Sequence, residues 1–238
     1  MIRVFAFCVA LVCAVVPARA ADEVITLGRD ADLYRAVLTR PKGPPKASLV
    51  LFTGGPGTLN ISSDGTINTG RNNQLVRTRD LYAARGFAVL TIDLHTDRAA
   101  ALAFMQKIKR PVSFVATSRG TLRAAEAIRQ GVQPDGLVLT SGMLDPGMRF
   151  ENVPAILGSP SLLPPTLVVQ HRQDGCRVTL PSGVDPFVAW ADGHVRKVVW
   201  LSGGVDEGDP CQAMGYHGFA GLDAAVVSAV TSFAVAPR

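Results

Sequence analysis

The sequence runs to 238 residues, 47% hydrophobic and 18% charged, which is enough apolar surface for one packed domain and excludes a largely disordered chain. Lysine and arginine number 24 against 19 acidic residues, a formal net charge of +5. The basic residues are dispersed rather than gathered in a run, so a surface that tracks a nucleic-acid backbone is excluded.

The chain opens with Met1, Ile2 and Arg3, then the apolar run Val4 to Val16, then Pro17 and the small-x-small triplet Ala18-Arg19-Ala20. That is the order of a secretory signal peptide, and the run is short for a membrane span. Residues 1–20 are expected to be a cleaved leader and 21–238 a single exported domain with no membrane span. Cleavage after Ala20 leaves 22 basic and 19 acidic residues, a net charge of +3. Cys8 and Cys13 leave with the leader. Cys176 and Cys211 remain, an even number in a chain sent to an oxidising compartment, and are expected to pair.

After the leader, Val24 to Leu27 and Leu33 to Thr39 read as antiparallel edge strands before the turn Pro41-Lys42-Gly43-Pro44-Pro45. Six apolar runs follow: Ala47–Thr53, Phe87–Asp93, Val112–Thr117, Gly136–Ser141, Thr166–Gln170 and Val195–Leu201. The first four show no alternation of period two, as expected of strands covered on both faces. Between them lie helical segments: Gln74–Arg85 stopped by Gly86, Arg98–Lys109 stopped before Pro111, and Thr121–Gln130 stopped by Gly131. The stretch from Gly142 to Pro165 carries five prolines and is expected to be a short covering loop over the strand ends. Near the carboxyl terminus, Leu222, Ala225, Val226, Ala229, Val230 and Phe233 share one helical face. Alternating strands and helices specify a mostly parallel central sheet with helices on both faces, a three-layer α/β sandwich. In such sheets ligands bind beyond the carboxyl ends of the strands.

One strand end carries a chemical signal. Ala116-Thr117-Ser118-Arg119-Gly120 lies between the strand Val112–Thr117 and a helix, a small-x-Ser-x-Gly pattern in the setting of a nucleophile elbow. Small residues suit it because the turn strains the serine and brings backbone segments into contact. Taken alone the pattern is weak, since a serine before a helix is as often only a cap. Its context adds a base and an acid in the order Ser, Asp, His. Asp174 follows the strand Thr166–Gln170, and His217 precedes the last helix. A Cys176–Cys211 bridge would tie the acid loop to the base loop.

On these residues the chain resembles the α/β-hydrolases over nearly its whole mature length. Thr53-Gly54-Gly55-Pro56-Gly57 stands where relatives carry His-Gly-Gly-Pro-Gly or similar oxyanion loops, and Thr117 to Thr121 is similar to the Thr-Ser-Arg-Gly-Thr elbow of a group of exported bacterial hydrolases. The resemblance implies the α/β-hydrolase fold and a periplasmic or secreted serine hydrolase. It would act through an acyl-enzyme on a small-molecule ester, or a thioester or amide, with no cofactor and no metal. Ser118 would be the nucleophile, His217 the base and Asp174 its orienting acid, with the amides of Gly55 and Arg119 as the oxyanion hole. Thr53 and Ala116 depart from the usual histidine and glycine, and Thr53 leaves the support of the oxyanion loop without an explanation.

Each residue also has a plainer reading. Asp174 suits a turn with Gly175, leaving Asp145 as reserve acid, and His217 suits a buried structural histidine. His95 is a candidate for the pocket wall, His171 for support of the acid loop, His194 for solvent. The Arg119 side chain is expected to brace the elbow, for example by an ion pair with Asp93, rather than to bind a substrate carboxylate. Solvent exposure is the expectation for Asn72, Asn73 and Arg77. Two other functions compete: a nucleotide enzyme reading Gly55-Pro56-Gly57 as a dinucleotide loop, which lacks its third glycine and its acidic residue, and a catalytically silent binding module on the same fold.

Overall fold

The computed structural model describes residues 22–29 and 32–236. The leader expected over residues 1–20 lies outside the described residues. Eight strands form one sheet: β1 (Asp22–Arg29), β2 (Asp32–Thr39), β3 (Ala47–Phe52), β4 (Phe87–Ile92), β5 (Val112–Thr117), β6 (Gly136–Thr140), β7 (Thr166–His171) and β8 (Val195–Leu201). Their order across the sheet is β1-β2-β4-β3-β5-β6-β7-β8. The first two strands form an antiparallel hairpin, β2 runs antiparallel to β4, and all later pairings are parallel.

The continuous apolar runs have a direct physical cause. Every residue of β3 to β7 is buried, because helices cover both faces. Strand pleating divides each run between two cores. Val50, Phe52, Phe114, Ala116 and Leu139 face one side, where α2 (Arg98–Ile108) and α3 (Gly120–Arg129) contribute Ala101, Leu102, Met105, Ala124 and Ile128. Leu49, Leu51, Val89, Val115 and Val169 face the other, where α1 (Gln74–Ala84) and α6 (Asp223–Ala234) contribute Leu75, Tyr82, Val226 and Val230. Asn73 and Asp97 start α1 and α2 by accepting the amides of Leu75 and Ala100.

The region from Gly142 to Pro165 is more regular than a covering loop. Asn152 caps a one-turn helix, α4 (Val153–Leu157), and Pro160–Leu162 form a 3-10 turn. Val153, Leu157 and Leu163 are buried in the core beside α3. A further short helix, α5 (Val184–Trp190), buries Phe187 and Val184 on the same face. Its apolar positions cover less than two turns and Pro186 interrupts its first turn, so the sequence carries too little periodicity to reveal it.

After β3 the chain steps to β4 on one side, then returns to β5 on the other. The loops following β3 and β5 therefore leave adjacent strands at the point where the strand order reverses, the usual place for a crevice in such sheets.

Candidate active site

Ser118 occupies the first position after β5 with φ +52°, a left-handed backbone conformation that costs a serine energy and that the surroundings must enforce. They do so from both sides. Its amide donates to the Thr140 carbonyl at the end of β6, and its carbonyl accepts from the amide and the hydroxyl of Thr121 in the first turn of α3. Gly120 lets α3 start against β3, since a Cβ there would collide with the carbonyl oxygens of Phe52 and Thr53. The side chain of Ser118 is thereby lifted off the sheet edge into a cleft.

The loop after β7 holds a buried carboxylate. Asp174 accepts from the Cys176 amide at 2.9 Å on Oδ1, and on Oδ2 from the Thr179 hydroxyl at 3.0 Å and the Gln170 amide at 3.1 Å. His217 Nδ1 lies 3.1 Å from that same Oδ2 and 3.0 Å from the Thr179 hydroxyl. An ionised carboxylate only accepts, so the proton sits on Nδ1, and Nε2 is left with its lone pair on the cavity side. The aspartate side chain is fully buried and the histidine side chain 6% exposed. His217 lines a cavity of about 460 Å³ together with Ser118, Gly54, Gly55 and Asn73. Among the described residues Ser118 Oγ makes no hydrogen bond to His217, a looseness ordinary for such sites without substrate.

Two arginines, Arg123 and Arg77, hold the loops in place. Arg123, in the third helical position after Gly120, is 8% exposed and runs back under the loop after β3. Its guanidinium donates to the carbonyls of Thr53 at 3.2 Å and Gly55 at 2.6 Å, and it fills the space where Gly57, at φ +83°, has no side chain. This supplies the support that Thr53 left unexplained. Burial, with Arg98 nearby, lowers the Arg123 pKa to about 10, so it stays cationic at neutral pH. With the carbonyl of Gly55 drawn down to Arg123, the amides of Gly55 and Arg119 make no hydrogen bond to protein among the described residues and line the approach to Ser118.

Arg77, on α1, clamps the histidine loop. It binds Asp223 at the start of α6 through Nε and Nη2 and donates to the carbonyls of Asn72, Ala213 and Gly218. Ser141, itself left-handed at φ +41°, donates to the His217 carbonyl at 2.7 Å. Gly218 is needed because a Cβ there would collide with Ala213. Solvent exposure was the expectation for Arg77; its carbonyl partners carry no sequence signature and its acidic partner lies 146 residues away.

The remaining expectations divide. Cys176 and Cys211 are joined, 35 residues apart, linking the loops that carry Asp174 and His217. Arg119 is exposed and forms no ion pair among the described residues; Asp93 instead accepts the amides of Leu59 and His95. The expected elbow brace is therefore absent, because Asp93 is engaged in shaping its own loop. Asp145 accepts the Gly147 amide and makes no bond to His217. His95 packs its ring against Tyr34 in a tilted arrangement at an exposed position and does not line the cleft. His171 is buried, accepts the Gln173 amide on Nδ1, donates from Nε2 to the Gly203 carbonyl and stacks on Tyr216, so it joins the acid and base loops. His194 is half-buried. Asn73 accepts the Leu75 amide on its oxygen, which turns Nδ2 towards Gly54 and the cavity. Gln170 and Thr179, which fix Asp174, carried no signal beyond their nearness to it.

The fold has many solved counterparts. An esterase domain from Rhodothermus marinus superposes with a TM-score of 0.61 at 15% identity over 90% of this chain and 97% of that one. A carboxylesterase from Lactobacillus plantarum gives 0.61 at 14% identity, covering 92% of this chain and 100% of that one. The chain has the α/β-hydrolase fold. A dienelactone hydrolase-like promiscuous phosphotriesterase from metagenomic libraries shares this fold, with a TM-score of 0.60 at 17% identity over 90% and 96% of the two chains. No family model and no curated protein sequence matches the chain.

Proposed function

We propose that the protein is an exported serine hydrolase that cleaves a carboxylic ester, with thioester and amide as chemical relatives, through an acyl-enzyme. The observation that carries this reading is a serine held at φ +52° between β5 and α3, opening into the same cavity as a buried Asp174–His217 pair. Ser118 Oγ attacks the acyl carbon while His217 Nε2 takes its proton. Asp174 holds the imidazole in the tautomer that accepts and stabilises the imidazolium that forms. The amides of Gly55 and Arg119 meet the negative charge that develops on the carbonyl oxygen. His217 then passes its proton to the departing alkoxide, and water repeats the cycle on the acyl-enzyme to release the acid and free Ser118. The esterase and carboxylesterase among the structural neighbours support the same chemistry.

Export rests on the leader pattern of residues 1–20, with Cys176–Cys211 suited to an oxidising compartment. Among the described residues no helix is long and apolar enough to cross a membrane.

The test is fluorophosphonate labelling of the mature protein read by intact mass and peptide mapping, beside hydrolysis of 4-nitrophenyl esters. One adduct at Ser118 is expected, lost in both Ser118→Ala and His217→Ala, with turnover abolished in Ser118→Ala and its melting temperature retained. Undiminished hydrolysis by Ser118→Ala, or no adduct on folded wild-type protein, overturns the assignment; the second result would point to the silent binding module.

A further inference from the structure

Ser118 lies where two cavities meet, and they differ in charge. The cavity on the His217 side is walled by Thr58, Leu59, Thr69, Asn72 and Asn73 and carries no arginine, lysine or carboxylate. The other, about 940 Å³, is rimmed by Arg98, Arg119, Arg149 and Arg177. These four come from four different strand-end segments, following β4, β5, β6 and β7 in turn. The side chains of Arg119, Arg149 and Arg177 make no hydrogen bond or ion pair among the described residues, and all three residues are exposed; the Arg98 guanidinium makes a single bond, to the Leu94 carbonyl. Two carboxylates, Glu126 and Glu151, share the lining, yet neither lies within ion-pair distance of these guanidiniums. After burial, Arg98 and Arg119 add to what disfavours the charge of Arg123, and Glu126 and Asp93 offset them in part. The same lining includes the apolar side chains of Leu94, Leu122, Met143 and Val178.

Unpaired guanidiniums around an apolar slot suit a ligand with an apolar stem and an anionic end, since their planar forks match carboxylate and phosphate oxygens two at a time. We infer that the protein acts on anionic acyl substrates, one substituent of the scissile carbonyl carrying a carboxylate or phosphate that the arginine rim binds while the carbonyl sits over Ser118. This rests on the hydrolase reading above, so its test includes a readout that does not need turnover.

The substrates are mono-4-nitrophenyl glutarate and its neutral counterpart 4-nitrophenyl valerate for charge on the acyl side, and 3-acetoxybenzoate and phenyl acetate for charge on the leaving group. In one of the two pairs kcat/KM for the anion is expected to exceed that for the neutral ester at least ~10-fold. That ratio should fall at least ~10-fold in Arg149→Glu with Arg177→Glu and shrink with added salt. Arg196→Glu with Lys197→Glu, at the amino-terminal end of β8 and so at the end of the parallel strands away from the cleft, makes the same change of net charge and should leave the ratio where it was. The phosphonate counterpart of the glutarate ester tells phosphate from carboxylate recognition, and preference for either supports the inference. The same pairs are titrated calorimetrically into Ser118→Ala, where tighter binding of the anion is expected even if the wild-type protein hydrolyses nothing. Equal affinity and equal kcat/KM for charged and neutral partners in both pairs, or a ratio unmoved by the rim substitutions, overturns it.

Discussion

Two groups of arginines surround the same serine and are used in opposite ways. Arg77 and Arg123 spend their donors on the protein: between them they bind five backbone carbonyls and the Asp223 carboxylate. The guanidiniums of Arg98, Arg119, Arg149 and Arg177 make a single hydrogen bond between them among the described residues. A guanidinium that satisfies loop carbonyls turns an irregular segment into a fixed one, because it ties together acceptors from segments that no sheet or helix pairs. One left facing solvent at a cleft keeps its donors for something else. The difference separates the parts of the site that must not move from the part that is open to choose a ligand.

Removing a clamp should therefore cost more turnover than removing a rim residue, and the two clamps should differ by how much else supports each loop. Arg123 is the hydrogen-bond donor to both Thr53 and Gly55 carbonyls, with no second donor to either outside the sheet ladder. Arg123→Met is expected to lower kcat by about 100-fold, in the range seen for loss of one oxyanion donor, with a smaller change in KM. Steady-state kinetics on a neutral ester measures it. A loss of less than about threefold would show that the loop keeps its shape unaided and that the clamp adds little.

The base loop has more than one anchor. Arg77→Met removes bonds to Ala213, Gly218 and Asp223, but Asp174, Ser141 and the disulfide still hold His217 or its neighbours. A fall in kcat of about 10-fold is expected, with stability reduced by about 2 kcal/mol, a partly exposed pair being worth less than a buried one. Denaturant titration and the rate of fluorophosphonate labelling read the two effects separately. If labelling slows as much as in His217→Ala, Arg77 is the main anchor of the base and the redundancy is illusory.

How much of this was legible depended on where the physical signal resides. Strands buried on both faces are predominantly apolar without alternation, so β3 to β7 appear as runs such as Leu49 to Phe52. The small-x-Ser-x-Gly pattern has a physical reason at Gly120, where any side chain would meet the Phe52 carbonyl. Ser118, Asp174 and His217 were visible as candidates because Ser118 and Asp174 follow strands and His217 precedes the last helix. The clamps were not. Arg123 and Arg77 sit on helices whose sequence assigns them to a polar face, and all but one of their carbonyl partners lie 68 to 141 residues away, on backbone that every residue type possesses. Gln170 gives no hint either, for a glutamine in a buried strand needs the fold to show that its amide meets Asp174. Short helices such as α5 escape for a simpler reason: seven residues with a proline hold too few turns to set a period.

The smallest effect on turnover is expected from the disulfide, and its size tests whether the acid is fixed by the bridge or by its own hydrogen bonds. Asp174 accepts from Cys176, Gln170, Thr179 and His217, and none of these contacts requires the sulfur atoms. The bridge instead closes a 35-residue separation, for which the chain-entropy account gives up to ~4 kcal/mol of stabilisation through the unfolded state. Cys176→Ser with Cys211→Ser should keep kcat within about threefold at 25 °C while lowering the melting temperature by on the order of 10 °C. Melting curves and initial rates on the same preparation check both. A large loss of kcat without a loss of stability would reverse the assignment of labour. The bridge would then be holding Asp174 and His217 in register, and the four hydrogen bonds to the carboxylate would be its consequence.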